Sequence, residues 1–329
     1  MTDILRNNWF VVLIAIIIIG FIGYFIYDTN KDNVSAKTTN NEQVIASINK
    51  DDITADDLYD ESTPYDGSTI YNMYKNAVID QSIKTTKDLK KQASTLESNI
   101  KSNASSQSDD YESTLTTELA KYGYASYEEL NDYCLTSVKE KEMNKKYITK
   151  HFDEVKKAWE DKSPRTVSII KMDVSDADNL TETETKKKSN IDKALEKESF
   201  ADVAKAFSED SNTANKNGFA GYVDSNSTSS GSNSTSTVPA DVVTAAIGLK
   251  KGETSDWITV TSSSGTSLYK VYVKETNSKK IFNAKSDTVS NQALYAILNS
   301  DSSLSYKILD SYGKKLDIKF NDKDTKKKF

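Results

Sequence analysis

The sequence predicts an α+β protein that carries a separate apolar segment near its N-terminus. Three observations indicate this. Residues 9–27 contain no charged side chain, residues 68–162 contain Gly123 as their only glycine and no proline, and the hydrophobic periodicity changes after Pro164. A long stretch without glycine or proline is typical of successive helices, whereas short alternating runs separated by turns are typical of strands.

The apolar segment WFVVLIAIIIIGFIGYFIY, residues 9–27, predicts a transmembrane anchor. As a helix it would extend about 28 Å, which is close to the hydrocarbon thickness of a bilayer. Arg6 and the free amine precede it, and this bias favours a cytoplasmic tail at residues 1–8 and a translocated body. A cleaved signal peptide is the alternative, with small residues at Val34-Ser35-Ala36, but the apolar run exceeds the usual signal length. Residues 28–41 are then expected to be a linker.

Single residue counts exclude several kinds of chemistry. One histidine, His151, and one cysteine, Cys134, leave no basis for a His/Cys zinc site, a CxxC redox pair or an intramolecular disulfide. No nucleotide-phosphate loop occurs either. From these absences together we expect no metal and no cofactor. The 49 acidic residues outnumber the 43 basic ones, which gives a net charge of -6 and argues against nucleic-acid binding.

The body divides into three predicted sections. Residues 42–163 are expected to form polar helices, broken near 108–110 and 122–125, and Pro164 ends the last of them. Residues 164–276 read as β-α-α-β-α-β-β, with a first strand at 166–174, helices at 182–197, 200–207 and 240–247, and a turn at 262–265 between the last two strands. Residues 277–329 return to helix and are expected to complete the first section, which would make it a discontinuous domain. The Ser/Thr/Asn-rich stretch 224–237 predicts a surface loop.

Three passages of the chain resemble the membrane-anchored extracytoplasmic foldases of the PrsA and SurA type, which carry a parvulin-type peptidyl-prolyl isomerase domain. VIASINKDDITADDLY, residues 44–59, resembles the family's opening strand and turn. FADVAKAFSEDSNTANKNGFAGYV, residues 200–223, resembles the parvulin pattern F-x-x-L-A-x-x-Y-S-x-D-x-x-x-x-x-G-G-D-L-G-W-F. VVTAAIGLKKGETS, residues 242–255, resembles F-x-x-A-x-x-x-L-x-x-G-x-x-S.

The resemblance implies a SurA-like helical chaperone domain with an inserted parvulin-like domain. Parvulins pair two histidines across the floor of the domain, in S-H-I-L-V and G-x-H-I-I. Here the resemblance aligns those positions with Ser168 and Ser267, which implies that two facing serines keep a hydrogen bond once made by histidines. Both serines would alternatively be ordinary core residues.

The remaining site residues also come from the resemblance. Asp210 occupies the acidic position after the second helix, where the alternative is a turn-forming aspartate. The seat for the proline ring aligns with Val238 and Val242, and the altered glycine-rich turn supplies Tyr222 and Val223. The catalytic prediction is therefore Asp210, Ser168 and Ser267, with the other four as substrate-binding residues.

The function implied is a foldase, anchored in the cell membrane with its body outside, that assists secreted proteins and isomerises their X-Pro bonds. The alternative is a holdase that binds unfolded secreted chains without catalysis, since both histidines are replaced. The expected partners are unfolded or partly folded secreted polypeptides and the membrane, with homodimerisation left open.

Overall fold

The computed structural model describes residues 67–228 and 238–316, and also the backbone of residues 38–39, 42–48 and 51–54; side chains are described from residue 71. Within these residues no helix is both long enough and apolar enough to cross a bilayer. The predicted anchor at 9–27 lies outside the described residues, as does the 229–237 part of the predicted surface loop.

The compact unit Met1–Tyr71 contains a small antiparallel sheet of order β1-β2-β3. Its strands are β1 (Thr38–Thr39), β2 (Glu42–Ile48) and β3 (Asp51–Thr54). The register pairs Val44 with Thr54 and Ile48 with Asp51. The strand that the resemblance implies at the start of the body is therefore present.

The second unit, Asn72–Phe329, contains the remaining elements apart from the start of the first helix. Its N-terminal part is helical, and the predicted breaks near 108–110 and 122–125 are confirmed. Two further breaks, at residues 83–86 and at His151, were not predicted. The helices are α1 (Gly67–Ser82), α2 (Lys87–Ser105), α3 (Tyr111–Ala120), α4 (Leu130–Lys150) and α5 (Phe152–Glu160).

Three C-terminal helices pack back onto this part: α9 (Ser278–Phe282), α10 (Asp287–Ser300) and α11 (Leu304–Gly313). Helices α9 and α10 contact α5, and α11 contacts α4. Phe152 and Phe282 lie with ring centroids 5.4 Å apart and are both buried. Aromatic pairs at this distance add to the stability gained from burial, so this contact stabilises the packing of α9 on α5.

The α+β section has the predicted order β-α-α-β-α-β-β. Its elements are β4 (Arg165–Val174), α6 (Glu182–Leu195), α7 (Phe200–Phe207), β5 (Phe219–Val223), α8 (Ala240–Gly248), β6 (Ile258–Ser262) and β7 (Gly265–Glu275). The sheet order is β5-β4-β7-β6, with every neighbouring pair antiparallel. The two long strands β4 and β7 therefore occupy its centre.

Each face of this sheet has its own hydrophobic core, because successive side chains of a strand point to opposite faces. On one face Val167 and Ile169 pack against α8 through Val242 and Ala246. On the other face Ile170, Met172 and Val174 pack against α6 and α7, with Ile191, Phe200 and Val203. Apolar residues thus fill both sides of β4.

Gly218 lies at a close approach between the loop before β5 and strand β4. Its carbonyl accepts a hydrogen bond of 2.8 Å from the Ile169 amide, and its φ of +74° is in the region that favours glycine. A Cβ atom there would lie 2.6 Å from Ala204 Cβ and 2.7 Å from the Ile169 carbonyl oxygen. Only glycine allows α7 and β4 to come this close to the loop.

We expect Gly218→Ala to lower the free energy of unfolding by about 2–4 kcal/mol, because it adds a steric overlap to an unfavourable φ. Gly221→Ala is the matched control: its φ is +96°, but no atom lies within 4 Å of its Cβ position. The control should lose only about 1–2 kcal/mol. Urea unfolding measures both, and equal losses would contradict the assignment of a close approach.

Candidate functional site

A polar group of side chains lies on the α8 face of the sheet, where β4 and β7 pair. The register places Lys171 opposite Tyr269 and Asp173 opposite Ser267. Directly opposed residues on antiparallel strands share a face, so these four side chains are neighbours. We call them the Lys171 cluster.

Asp173 holds the cluster together by accepting two bonds at one oxygen. Lys171 Nζ lies 2.9 Å from Asp173 Oδ1, and Ser267 Oγ donates to the same oxygen at 2.7 Å. Burial opposes ionisation of Asp173, but these two bonds outweigh it and hold its pKa below the ordinary value. The bond to Asp173 in turn raises the pKa of Lys171. Lys171 is therefore an ammonium and Asp173 a carboxylate at neutral pH.

Tyr269 is buried, as Ser267 is, and belongs to the apolar core of the α8 face. Burial raises the pKa of its phenol, Lys171 lowers it, and Asp210 raises it. A phenol with a raised pKa stays protonated at neutral pH and can donate a hydrogen bond.

Asp210 lies beside this cluster because the segment after α7 runs along β4. The Lys171 amide donates to Ser208 Oγ at 3.1 Å, which fixes that segment against the strand. Asp210 accepts from the Asn212 amide at 3.1 Å and from Thr213 Oγ1 at 2.8 Å. It acts on the pKa of both Lys171 and Tyr269. Asp210 therefore shapes its own turn and adds negative charge to the site.

The valines predicted to seat a proline ring lie in the core next to Tyr269. Val238, Val242 and Val223 belong to the same buried cluster as Tyr269, and Val242 is 0% and Val238 4% exposed. The partly exposed side chains near Tyr269 include Lys171, Asp173 and the apolar Ile258, which lies opposite Tyr269 on β6. The valines are buried.

Arg165 fixes helix α8, which carries Val242. Its guanidinium donates to the Ala246 carbonyl and, at 3.0 Å, to the Leu249 carbonyl. Carbonyls at the end of a helix lack partners within the helix, and a cation there also interacts favourably with the helix dipole. The first residue of β4 thus anchors the C-terminal end of α8.

The prediction that Ser168 and Ser267 face each other is wrong. Ser168 pairs with Tyr272 on the face covered by α6 and α7, whereas Ser267 pairs with Asp173 on the α8 face. Ser168 is offset along β4 by an odd number of positions from Lys171 and from Asp173. Residues at an odd offset in a strand point to opposite faces of the sheet. The structure brings Asp210 and Ser267 to one side of the sheet and leaves Ser168 on the other.

Tyr222 also lies apart from the Lys171 cluster. Its hydroxyl accepts from Trp159 Nε1 at 2.8 Å and donates to Asp224 Oδ2 at 2.6 Å. Its ring is buried and stacks near the Trp159 ring, with centroids 6.5 Å apart. The residue joins α5 to the end of β5.

Comparison with known proteins agrees with this fold. Residues 169–272 match the family model described as Rotamase, the PPIC-type PPIase domain. The chain carries a PPIC-type rotamase domain. The matched range includes β4 from Ile169, both helices of the α6–α7 layer, α8 and most of β7, and so contains Lys171, Asp173, Asp210 and Tyr269.

Solved structures similar to the chain cover most of its length. PrsA from Bacillus subtilis is 23% identical, with 87% of this chain and 97% of that one covered and a TM-score of 0.43. The foldase protein PrsA from Streptococcus pneumoniae is 21% identical, with 86% and 97% covered and a TM-score of 0.39. A SurA-like chaperone structure from Campylobacter jejuni is 14% identical, with 84% and 100% covered and a TM-score of 0.24. None of the curated proteins matches the chain.

The sequence interpretation named Ser267 but missed Lys171, Asp173 and Tyr269 as members of the Lys171 cluster. One signal for Lys171 is present in the strand sequence TVSIIKMDV, where a lysine interrupts a run of apolar residues. A lysine inside a buried strand is uncommon unless it has a partner or a function. Tyr269 offers no such signal, because aromatic residues are ordinary in strands.

We expect Tyr222→Phe to lower the free energy of unfolding by about 1–3 kcal/mol, because the Trp159 indole and the Asp224 carboxylate each lose a buried partner. Binding of an X-Pro peptide, followed by NMR titration of the folded protein, should not change. Tyr295→Phe is the control, since Tyr295 is 54% exposed. Unchanged stability combined with lost peptide binding would instead make Tyr222 a substrate contact.

Proposed function

We propose that the chain is a membrane-anchored foldase that acts on secreted polypeptides outside the cytoplasm and isomerises their X-Pro bonds. Residues 9–27 would be the single anchor, with the N-terminus in the cytoplasm. The uncharged run and Arg6 before it support this orientation. The packing of α9, α10 and α11 onto α4 and α5 supports one discontinuous helical domain, with the rotamase domain inserted into it.

The observation that carries the isomerase proposal is the Lys171–Tyr269 pair beside Asp210 within the rotamase domain. The barrier to prolyl isomerisation, about 18–20 kcal/mol, comes from amide resonance. In the twisted amide the prolyl nitrogen regains its lone pair and can accept a hydrogen bond. A donor that meets this nitrogen stabilises the twisted state more than the planar one, and such differential binding accelerates the rotation.

Lys171 and Tyr269 both supply such a donor at neutral pH. Asp173 orients the Lys171 ammonium through their 2.9 Å contact, and Ser267 orients Asp173. We propose Lys171 or Tyr269 as the donor and Asp173 and Ser267 as positioning residues. Asp210 supplies a negative charge that favours the ammonium form of Lys171.

We expect Lys171→Met and Tyr269→Phe each to reduce catalysis of cis–trans exchange in an X-Pro peptide by about tenfold to a hundredfold. This range corresponds to the loss of one hydrogen bond that stabilises the twisted amide. NMR exchange spectroscopy with the full chain in detergent micelles measures the rate. Ser168→Ala is the control, because Ser168 lies on the opposite face of the sheet.

No acceleration by the folded chain, over several peptide sequences, would reject the isomerase proposal. The second candidate function would then apply, a holdase that binds unfolded chains. A specific observation favours it: the valines aligned with the proline seat present almost no accessible surface. Suppressed aggregation of a proline-free client would support the holdase.

We also expect the isomerase rate to be constant between about pH 6 and 9. Lys171 has a raised pKa and stays protonated until the pH passes above its ordinary value of about 10.4, and Tyr269 likewise keeps its proton beyond about pH 10. Asp173 has a lowered pKa and stays ionised until the pH falls below about 3.9.

The pH profile of exchange tests this directly. A step near pH 6.5 is the mark of a histidine, and the chain has only His151, at the junction of α4 and α5. Such a step that persists in His151→Asn would show that a different titrating group controls the rate and would contradict the assignment.

A further inference from the structure

A groove of about 360 Å³ lies between the rotamase sheet and the C-terminal helices, and it contains no residue of the Lys171 cluster. Strand β5, the ends of β4 and β7, helix α9 and the start of α10 form its walls. The lining residues include the apolar Phe219, Ile281 and Val289 and the basic Lys274, Lys280 and Lys285.

The floor of the groove is apolar. Phe219 is half-buried on β5, and Ile281 and Val289 are buried where α9 and α10 meet the sheet. Lys274 Nζ lies 5.0 Å from the centre of the Phe219 ring, so an ammonium and an aromatic surface are presented together. This pairing favours a ligand that has both an anionic and an apolar part.

The rim of the groove is positively charged. Lys274, Lys280 and Lys285 are exposed, and the only carboxylate among the lining residues is Glu275. Three lysines against one glutamate leave a local charge of +2, in a chain whose net charge is -6. The groove therefore differs in sign from the protein as a whole.

Glu275 lies 4.0 Å from Lys280 Nζ, but its closer partners lie outside the groove. Lys251 Nζ lies 2.7 Å from its carboxylate, and the amides of Thr276 and Asn277 donate to it. Burial opposes ionisation of Glu275, but these bonds hold its pKa below the ordinary value. Among the described residues, neither Lys274 nor Lys285 has a carboxylate within 4.0 Å.

We propose that this groove binds an extended client segment in which acidic residues flank an aromatic or aliphatic side chain. Carboxylates would meet Lys274 and Lys285, and the apolar side chain would cover Phe219. The inference rests on the proposed foldase function for its polypeptide partner, but it assigns a second binding surface that needs no proline. A client could then be held at the groove while another part of it reaches the Lys171 cluster.

The test uses the full chain in detergent micelles and a fluorescein-labelled peptide, Gly-Glu-Phe-Glu-Leu-Glu-Gly, which contains no proline. Fluorescence anisotropy measures its Kd. We expect the double variant Lys274→Gln/Lys285→Gln to bind about three- to tenfold more weakly, as for the loss of two exposed ion pairs. Added salt should weaken binding to the unmodified chain, because exposed charges are screened.

Two further variants test whether the peptide binds at the groove. Lys279→Gln is the matched control, since Lys279 is an exposed lysine of α9 that does not line the groove, and its Kd should stay within about twofold. Phe219→Ala should weaken binding by about threefold or more through lost apolar contact. Circular dichroism confirms that each variant is folded.

Several results would overturn the groove proposal. The first is a double variant that binds the peptide as tightly as the unmodified chain does. The second is a Lys279→Gln variant that weakens binding as much as the double variant does. The third is a peptide with glutamine in place of glutamate that binds as tightly as the acidic peptide. Vesicles containing phosphatidylglycerol form the last arm: lysine-dependent binding to them without binding of the peptide would make this surface a membrane contact instead.

Failure of the groove and failure of the foldase proposal can be told apart. The X-Pro exchange and aggregation assays are run on the same proteins. If the protein accelerates X-Pro exchange and suppresses aggregation but does not bind the peptide, only the groove proposal is rejected. If it binds the peptide through the lysines but shows neither activity, only the foldase proposal is rejected.

Discussion

The antiparallel pairing of β4 with β7 is the constraint on which the rest of the rotamase domain depends. Nine residues of β4 pair with nine of β7, and alternate side chains enter two separate cores. A shift of one residue would move Ile170 and Met172 to the α8 face and would place Lys171 among the apolar residues that α6 and α7 cover. The apolar residues on both sides therefore fix the register, and the register places Lys171 opposite Tyr269.

The segment between α5 and β4 connects this sheet to the helices. Trp159, at the end of α5, donates to Tyr222 on β5, and Arg165, at the start of β4, binds the end of α8. Glu160 accepts a hydrogen bond from Ser278 of α9. Buried polar groups of this kind are costly unless they are all partnered, so the network specifies one arrangement of α5, the sheet and α9. The groove beside Phe219 lies where these same elements meet.

The elements themselves could be predicted from the sequence, but the pairing of their residues could not. Strand β4 and helix α7 stand out because their apolar periods, two and about 3.6 residues, are local properties of the chain. The break at His151 has no glycine or proline to mark it. Register depends on a partner strand about 100 residues away, and so the position of Ser168 relative to Ser267 is not encoded in either strand alone. An alignment that shifts one strand by an odd number of residues reverses the faces of its side chains.

The hydrogen-bond donors of the proposed isomerase site keep their protons near neutral pH. Two histidines can each change charge near neutral pH, whereas the Lys171 ammonium and the Tyr269 phenol keep fixed protonation states over that range. Fixed donors suit a reaction that transfers no proton and needs only a hydrogen bond to the twisted amide. The carboxylates of Asp173 and Asp210 outnumber the Lys171 ammonium, so this site carries a net negative charge while the groove by Phe219 carries a net positive one. A polypeptide bound at both places would be selected by the order of its charges along the chain as well as by its prolines.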